Sequence, residues 1–237
     1  MKEYIYGKNT VKEALVVNKR IIKLYVTQNN NDFISLAKQN NVEYKIVDNN
    51  FLNKLVNGNH QGVVLETEGY SYVDVEDIIR SAHKEYPLIV MLDSLEDPHN
   101  LGAILRTCDA SGVDGVIIGK NRSVRLNNTV AKVSTGAIEY VKVAEVTNLN
   151  NTIKYLKKQG YWIVGAEATD ESILYNKMKY DMPICLVIGS EGKGLSRLVR
   201  ENCDYLIKIP MVGHVNSLNA SVSCSILVYE IIKYRNL

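Results

Sequence analysis

The stretch LIVMLDSLEDPHNLGAILRTCDASG, residues 88–112, joins a fully apolar run to a run with helical periodicity. Residues 88–92 are apolar without interruption, which is typical of a strand buried on both faces of a parallel sheet. From Asn100 onward the apolar residues recur at helical spacing until Gly112, a residue type that often ends helices. The stretch therefore predicts a strand, a polar loop and a helix in succession.

The same alternation of strand and helix continues to the end of the chain. Repeated units of this kind predict an α/β fold whose parallel sheet is covered by helices on both faces. Polar loops follow three of the predicted strands, LIVMLDS (88–94), CLVIGS (185–190) and YLIKIP (205–210). Ligands of parallel sheets bind beyond the carboxyl ends of the strands, so we expect these loops to converge on one site.

The region before this sheet is shorter and has its own alternation of helix-like and strand-like segments. Residues 1–68 predict a small α/β domain. Residues 69–86 predict a linker that contains one short helix, and residues 87–237 predict the larger domain with the parallel sheet.

The composition sets limits on the class of protein. Hydrophobic residues make up 46% of the 237 residues, which indicates a packed globular protein, and the net charge of +2 does not by itself indicate a nucleic-acid partner. The four cysteines form no C-x-x-C pair and the histidines are scattered, so we expect no metal site. No signal sequence and no apolar run of about 18 residues is present, so we expect a cytoplasmic protein without a membrane partner.

Two polar residues of the first stretch are candidates for chemistry. Asn100 precedes the apolar run of the helix, where an asparagine often serves only as the helix cap. Arg106 is either a solvated surface residue or a functional one. Because helical side chains lean toward the N-terminus, Arg106 is long enough to bring its guanidinium back toward the loop of Asn100.

The second and third loops also allow both a structural and a functional interpretation. Gly189 and Glu191 lie in a glycine-rich loop, which is either a simple turn or a place where backbone approaches a ligand closely. Ser217 is either the cap of the last helix, with Asn219 in its first turn, or a ligand-binding residue beside it. Basic side chains near these loops are either solvated or bind RNA phosphates; they are Lys120, Arg122, Arg125, Lys193 and Arg197.

Three motifs carry a family resemblance: D-P-x-N-x-G-x-x-x-R-T (97–107), I-G-S-E-G-K-G-L (188–195) and I-P-M-x-G-x-x-x-S-L-N-A-S (209–221). In order and spacing they resemble the motifs of the SpoU (TrmH-like) family of the SPOUT superfamily, RNA ribose 2'-O-methyltransferases that use S-adenosylmethionine. The resemblance implies a trefoil knot in the parallel-sheet domain and a homodimer formed through the last helix. The residues to which it gives catalytic roles are Asn100, Arg106, Glu191, Ser217 and Asn219. The residues to which it gives cofactor contacts are Gly189, Ile209 and Leu218.

The N-terminal region carries a further resemblance. The segments YGKNTVKEAL (6–15) and HQGVV (60–64) resemble the RNA substrate-binding domain attached to rRNA-modifying members of that family. This implies RNA as the partner and a guanosine of 23S rRNA as the target. Alternatives within the family are a tRNA methyltransferase and an rRNA-methylating antibiotic-resistance enzyme. A non-catalytic RNA-binding protein on the same fold is another alternative, whereas a nicotinamide-dependent oxidoreductase lacks support because no early G-x-G-x-x-G is present.

Overall fold

The computed structural model describes residues 2–17 and 20–235 and divides into two compact units, Met1–Ser71 and Tyr72–Leu237. The elements of the first unit are β1 Lys2–Tyr6, α1 Lys8–Val17, β2 Ile21–Val26, α2 Asn31–Gln39, β3 Tyr44–Ile46, α3 Asn49–Leu55 and β4 Val63–Glu68. The elements of the second unit are α4 Val75–Ser81, β5 Leu88–Leu92, α5 Pro98–Ser111, β6 Gly115–Gly119, α6 Asn128–Val133, β7 Val143–Val146, α7 Leu149–Lys158, β8 Trp162–Ala166, β9 Ile173–Leu174, β10 Ile184–Ile188, α8 Arg197–Glu201, β11 Tyr205–Lys208 and α9 Ala220–Tyr234.

The first unit is built on a four-stranded mixed sheet in the order β1-β4-β2-β3. Strand β1, which the sequence pattern did not predict, pairs antiparallel with β4, and β2 pairs parallel with β3. Val11 of α1 and Phe33 of α2 pack against Leu24 and Leu65, so both helices cover one face of the sheet. The predicted small α/β domain is confirmed.

The second unit contains a seven-stranded sheet in the order β7-β6-β5-β10-β8-β11-β9. Every neighbouring pair in it is parallel. Strands β5, β6 and β10 are buried along their whole length, as the uninterrupted apolar runs predicted. Strand β8 lies between β10 and β11, so the loops after β10, β8 and β11 leave the sheet side by side. The predicted parallel-sheet architecture is confirmed.

The stretch 69–86, expected as a linker, contributes structure to the second unit. Val73 N–H donates to the Val143 carbonyl at 2.9 Å, which holds the segment to β7. Helix α4 follows, and its Val75 and Ile78 are buried in the same core cluster as Ile89 of β5. The short helix predicted there is present, and it packs into the core of the second unit.

Helices α5 and α9 pack against each other and carry the first and third motifs into place. Helix α5 begins at the cap residue Asp97, whose carboxylate accepts the His99 N–H at 2.9 Å. Thr107 of α5 and Ser225 of α9 share a hydrogen bond of 2.8 Å between their hydroxyls. The far end of α9 is held by Arg235. Its guanidinium donates to the backbone carbonyls of Tyr86, Tyr180 and Met182.

Candidate active site

Three polar side chains, one from each motif, form a closed hydrogen-bonded triangle. Asn100 Nδ2 donates to Glu191 Oε1 at 2.9 Å, and Asn219 Nδ2 donates to Asn100 Oδ1 at 2.8 Å. Asn219 Nδ2 also donates to Glu191 Oε1. Asn100 is buried, with 6% of its surface exposed, whereas Glu191 and Asn219 are exposed. The three loops predicted to converge therefore do so through direct contacts.

The orientation of the Asn219 amide is fixed by the helix that follows it. Its Oδ1 accepts the backbone N–H of Ser221 at 2.9 Å and of Val222 at 3.3 Å, so Asn219 is the N-cap of α9. Because Asn219 Oδ1 accepts these two N–H groups of the helix, Asn219 Nδ2 faces Glu191. Of the two interpretations of Ser217, the cap of α9 is therefore excluded. The interpretation of Asn100 as a helix cap is also excluded, because Asp97 caps α5.

A cavity of about 520 Å³ opens where the loops after β8, β10 and β11 leave the sheet. The residues predicted to contact a cofactor, Gly189, Ile209 and Leu218, all line it, as do Glu191 and Ser217. The structure thus brings together residues that lie far apart in the sequence. Ser217 is exposed at the cavity wall, and it does not belong to the triangle.

The absence of a side chain at Gly189 is required by the shape of the loop after β10. Ser190 and Gly194 pair with each other through hydrogen bonds of 3.2 and 3.0 Å between their backbones, which folds the loop back on itself. A Cβ atom at Gly189 would clash with the carbonyl group of Gly194 and lie 2.7 Å from Leu195 N. The backbone therefore approaches itself too closely here for any other residue type.

A second cavity, of about 400 Å³, lies on the other side of Glu191. Asn100 lines this cavity, and so do the basic side chains of Arg122 and Lys193. Glu191 and Lys193 line both cavities, so Glu191 stands at the boundary between them. A ligand in one cavity can therefore meet a ligand in the other beside the triangle.

The remaining basic residues predicted for the site lie elsewhere. Arg106 is exposed on α5, and no hydrogen bond or ion pair joins it to another residue within 2–17 and 20–235, so its role stays a prediction. Arg125 Nε pairs with Glu145 at 3.0 Å, and Arg197 pairs with Glu201 at 3.2 Å. Lys120 is exposed after β6.

Two acidic residues near the site were missed by the sequence analysis. Asp93 is 3% exposed and ties the first two loops together, because its Oδ2 accepts the Ser196 N–H at 2.7 Å. Glu167 lies at the end of β8 and lines the first cavity. Its Oε1 pairs with Arg200 at 3.4 Å, while its Oε2 is buried without a hydrogen-bond partner in the described part of the chain. Each residue directly follows an apolar strand, β5 or β8, which places it at the edge of the sheet where the motif loops lie.

The cysteine side chains are not candidates for nucleophilic chemistry. Burial raises the pKa of Cys203 and of Cys224 to about 12, and it raises the pKa of Cys108 and Cys185 as well. These thiols are therefore protonated at neutral pH. Among the described residues, no His, Cys, Asp or Glu side chains are grouped in a way that would hold a metal ion. No described helix is both long enough and apolar enough to span a bilayer.

Comparison with known proteins defines the class to which this fold and site belong. Residues 87–229 match the model of the SpoU rRNA Methylase family, and residues 4–73 match the model described as RNA 2'-O ribose methyltransferase substrate binding. The chain belongs to the SpoU (TrmH-like) family of RNA methyltransferases. It is 52% identical over 239 residues to a Staphylococcus haemolyticus protein assigned to the TrmH family of tRNA/rRNA methyltransferases; the match covers 98% of this chain and 96% of that protein.

Other relatives agree with this family. A Bacillus subtilis protein with the same family assignment is 46% identical over 241 residues, covering 99% of this chain and 96% of that protein. The AdoMet-bound rRNA methyltransferase of Sinorhizobium meliloti has the same fold, with a TM-score of 0.66 and 23% identity over 98% of this chain and 87% of that chain. A TrmH/SpoU tRNA modifying enzyme of A. aeolicus is 31% identical, with a TM-score of 0.60, over 67% of this chain and 80% of that chain.

Proposed function

We propose that the chain transfers the methyl group of S-adenosylmethionine to a ribose 2'-hydroxyl of RNA, with a guanosine of 23S rRNA as the target. The observation that carries the proposal is the triangle of Asn100, Glu191 and Asn219 at the boundary of two cavities. Such a boundary suits a reaction in which one ligand gives a small group to the other. The match to a substrate-binding model over residues 4–73 supports an RNA substrate held by the first unit.

The first cavity fits S-adenosylmethionine. Ile209 and Leu218 supply apolar walls for the adenine, and Gly189 leaves room for close approach of backbone. The buried, unpartnered Glu167 Oε2 supplies an acceptor for a hydroxyl or ammonium donor of the cofactor. A solved relative, the methyltransferase of S. meliloti, binds AdoMet. When bound, S-adenosylmethionine supplies an electrophilic methyl group on a sulfonium.

The second cavity is the proposed place of the target nucleotide. Arg122 and Lys193 place positive charge there, which suits the phosphate next to the methylated ribose. Glu191 Oε1 already accepts the donors of the two asparagines, so Oε2 is the oxygen that accepts a hydrogen bond from the ribose hydroxyl. This hydrogen bond orients the hydroxyl toward the first cavity. The rate then comes from orientation and from fixed charges.

Arg106 and Ser217 complete the proposed catalytic set. Ser217 lines the first cavity beside Leu218 and is placed to orient the ligands there. Arg106 lies on α5, which packs against α9, and we infer that a homodimer forms through α9. Val222 and Tyr229 of α9 are 45% and 50% exposed, which supports an interface on that helix. Arg106 would then lie beside the interface, where it contacts an RNA phosphate.

The proposed topology of the second unit includes the trefoil knot of the SPOUT superfamily. Strand β10 lies between β5 and β8, whereas β11 lies on the far side of β8, so the chain crosses past β8 between the second and third motifs. This crossing is consistent with a knot that encloses the first cavity. We also propose a cytoplasmic location, which follows from an rRNA target.

The test is methyl transfer from labelled S-adenosylmethionine to unmodified 23S rRNA and to unmodified tRNA, followed by mapping of 2'-O-methylated positions. We expect label on a single guanosine of 23S rRNA. Label on tRNA alone would contradict the rRNA assignment, and a methyl group on a base would contradict the reaction. Arg106→Ala is expected to lower transfer strongly while leaving cofactor binding intact, and full activity of that variant would remove Arg106 from the mechanism.

A further inference from the structure

The first unit contains a polar cavity of its own. The two N-terminal segments that resemble a substrate-binding domain meet there, because Gln61 Oε1 accepts the backbone N–H of Lys8 at 2.8 Å. The cavity measures about 600 Å³. We call it the amide basin, after the side-chain amides that line it: Asn29, Asn30, Asn49, Asn53, Asn59 and Gln61.

The wall of the amide basin is held rigid by two buried residues. His60 Nδ1 accepts the Gly62 N–H at 3.0 Å, which assigns the proton to Nε2 and makes Nε2 the donor to Asn53 Oδ1 at 3.0 Å. Asn30 is 5% exposed, and its Nδ2 donates to Thr27 Oγ1 at 2.8 Å. The basin is therefore formed before any ligand arrives, which lowers the entropic cost of binding.

Other amides of the amide basin remain available to a ligand. Asn29, Asn49 and Asn59 are exposed, and their side chains make no hydrogen bond within the described ranges 2–17 and 20–235. Each amide offers both a donor and an acceptor. They stand on three separate segments, so together they present a preformed set of donors and acceptors facing one cavity.

The chemistry of the amide basin points to unpaired RNA nucleotides. Amide side chains match the donor and acceptor pattern of exposed base edges, and such contacts are how proteins read unpaired RNA. Lys8 adds one positive charge for a phosphate, and no lining residue is a carboxylate that would repel it. A set without carboxylates does not suit Ca²⁺ or Mg²⁺, and a wall without large apolar side chains does not suit a hydrophobic peptide.

We propose that the amide basin binds unpaired nucleotides of the RNA substrate through contacts to base edges, as a second point of attachment besides the methylated nucleotide. The inference rests on the proposed function, since it requires an RNA substrate. It assigns base reading to Asn49 and Asn59 and phosphate binding to Lys8. The two kinds of contact differ in their response to salt, and this difference can be measured.

The test is filter binding of labelled, unmodified 23S rRNA transcript to the full chain and its variants over a range of salt concentrations. We expect N49A/N59A to raise the Kd for RNA by about fivefold or more, since a good base contact is worth about 1–3 kcal/mol. The salt dependence should not change in that variant. K8A should instead reduce the slope of log K against log salt by about one.

The matched control is N50A, because Asn50 is exposed on the same helix as Asn49 but does not line the basin. N50A should bind RNA as the wild type does, and none of the variants should change the Kd for S-adenosylmethionine measured by calorimetry. Wild-type RNA affinity of N49A/N59A, or equal weakening by N50A, would overturn the inference. If the wild type binds RNA through Asn49 and Asn59 but transfers no methyl group, the proposed function is refuted and the inference on the amide basin stands.

Discussion

Replacing Gly189 by alanine tests whether the folded-back loop after β10 is required for the cofactor cavity. The added methyl group would clash with the carbonyl group of Gly194 and lie 2.7 Å from Leu195 N. Both contacts are with backbone, so no side chain can rotate to relieve them. Overpacking of this kind costs about 1–3 kcal/mol, and a chain of this size loses about 2–4 °C in Tm for each kcal/mol. G189A should therefore lower the Tm of the second unit by about 2–12 °C.

Cofactor affinity should fall together with stability, because the residues that follow Gly189 also line the first cavity. A displacement of this loop that costs about 1.4 kcal/mol of binding free energy weakens binding tenfold. The assay for stability is thermal unfolding followed by the fluorescence of Trp162, which is the only tryptophan of the chain and lies on β8 beside β10. The assay for affinity is calorimetric titration with S-adenosylmethionine.

The control is G213A, since a Cβ atom at Gly213 meets no heavy atom within 4 Å. That variant should match the wild type in Tm and in cofactor affinity. The reasoning is refuted by a G189A protein whose Tm and affinity equal those of the wild type. It is also refuted if G213A loses as much as G189A does, because the loss would then not depend on the clash.

Further predictions concern single carboxylates and the capping amide. N219S keeps the cap of α9 but removes the donor to Glu191, so its Tm should stay near that of the wild type while methyl transfer falls by about a hundredfold; unchanged transfer would show that the triangle is only structural. E167Q should raise the Kd for S-adenosylmethionine about tenfold or more by calorimetry, because a hydrogen bond to a charged acceptor is lost, whereas R200Q, which removes the same ion pair, should not. Hydrogen bonds from Lys2, and then from Tyr25, lower the pKa of the buried Glu66 below its usual value. A lowered pKa in the folded state means stability that is present above the unfolded pKa and lost as pH falls through the folded pKa. Unfolding followed by circular dichroism should therefore show that the stability of the first unit falls as the pH is lowered. E66Q should be less stable than the wild type at neutral pH, and its stability should depend less on pH. If the stability of E66Q changed with pH as steeply as that of the wild type, this assignment would be contradicted.

The parallel sheet and the meeting of the motif loops could be predicted from sequence because they depend on short-range patterns. An apolar strand followed by a polar loop fixes which edge of the sheet the loop occupies, wherever the strand lies in the order. Gly189, Ile209 and Leu218 line one cavity for that reason. Pairing of distant strands leaves no comparable local pattern, so β1, whose partner is β4 at the other end of the first unit, was missed.

The details of helix ends and long side chains could not be predicted in the same way. Several residues before α9 are good caps, and the local sequence does not select Asn219, whose Oδ1 accepts the N–H groups of Ser221 and Val222 in the structure. Arg106 has enough length to reach the loop of Asn100, but sequence spacing gives its reach and not its rotamer. Glu167 directly follows β8 and belongs to none of the three motifs. It became a candidate ligand residue only when β8 was found between β10 and β11.

The two roles of Asn219 have a consequence for the folding of the nascent chain. One amide both starts the last helix and closes the triangle with Asn100 and Glu191. The first turn of that helix and the triangle therefore depend on the same side chain, so neither is complete until Asn219 is in place. A nascent chain that already exposes Asn100 and Glu191 but has not yet released Asn219 therefore lacks a complete triangle.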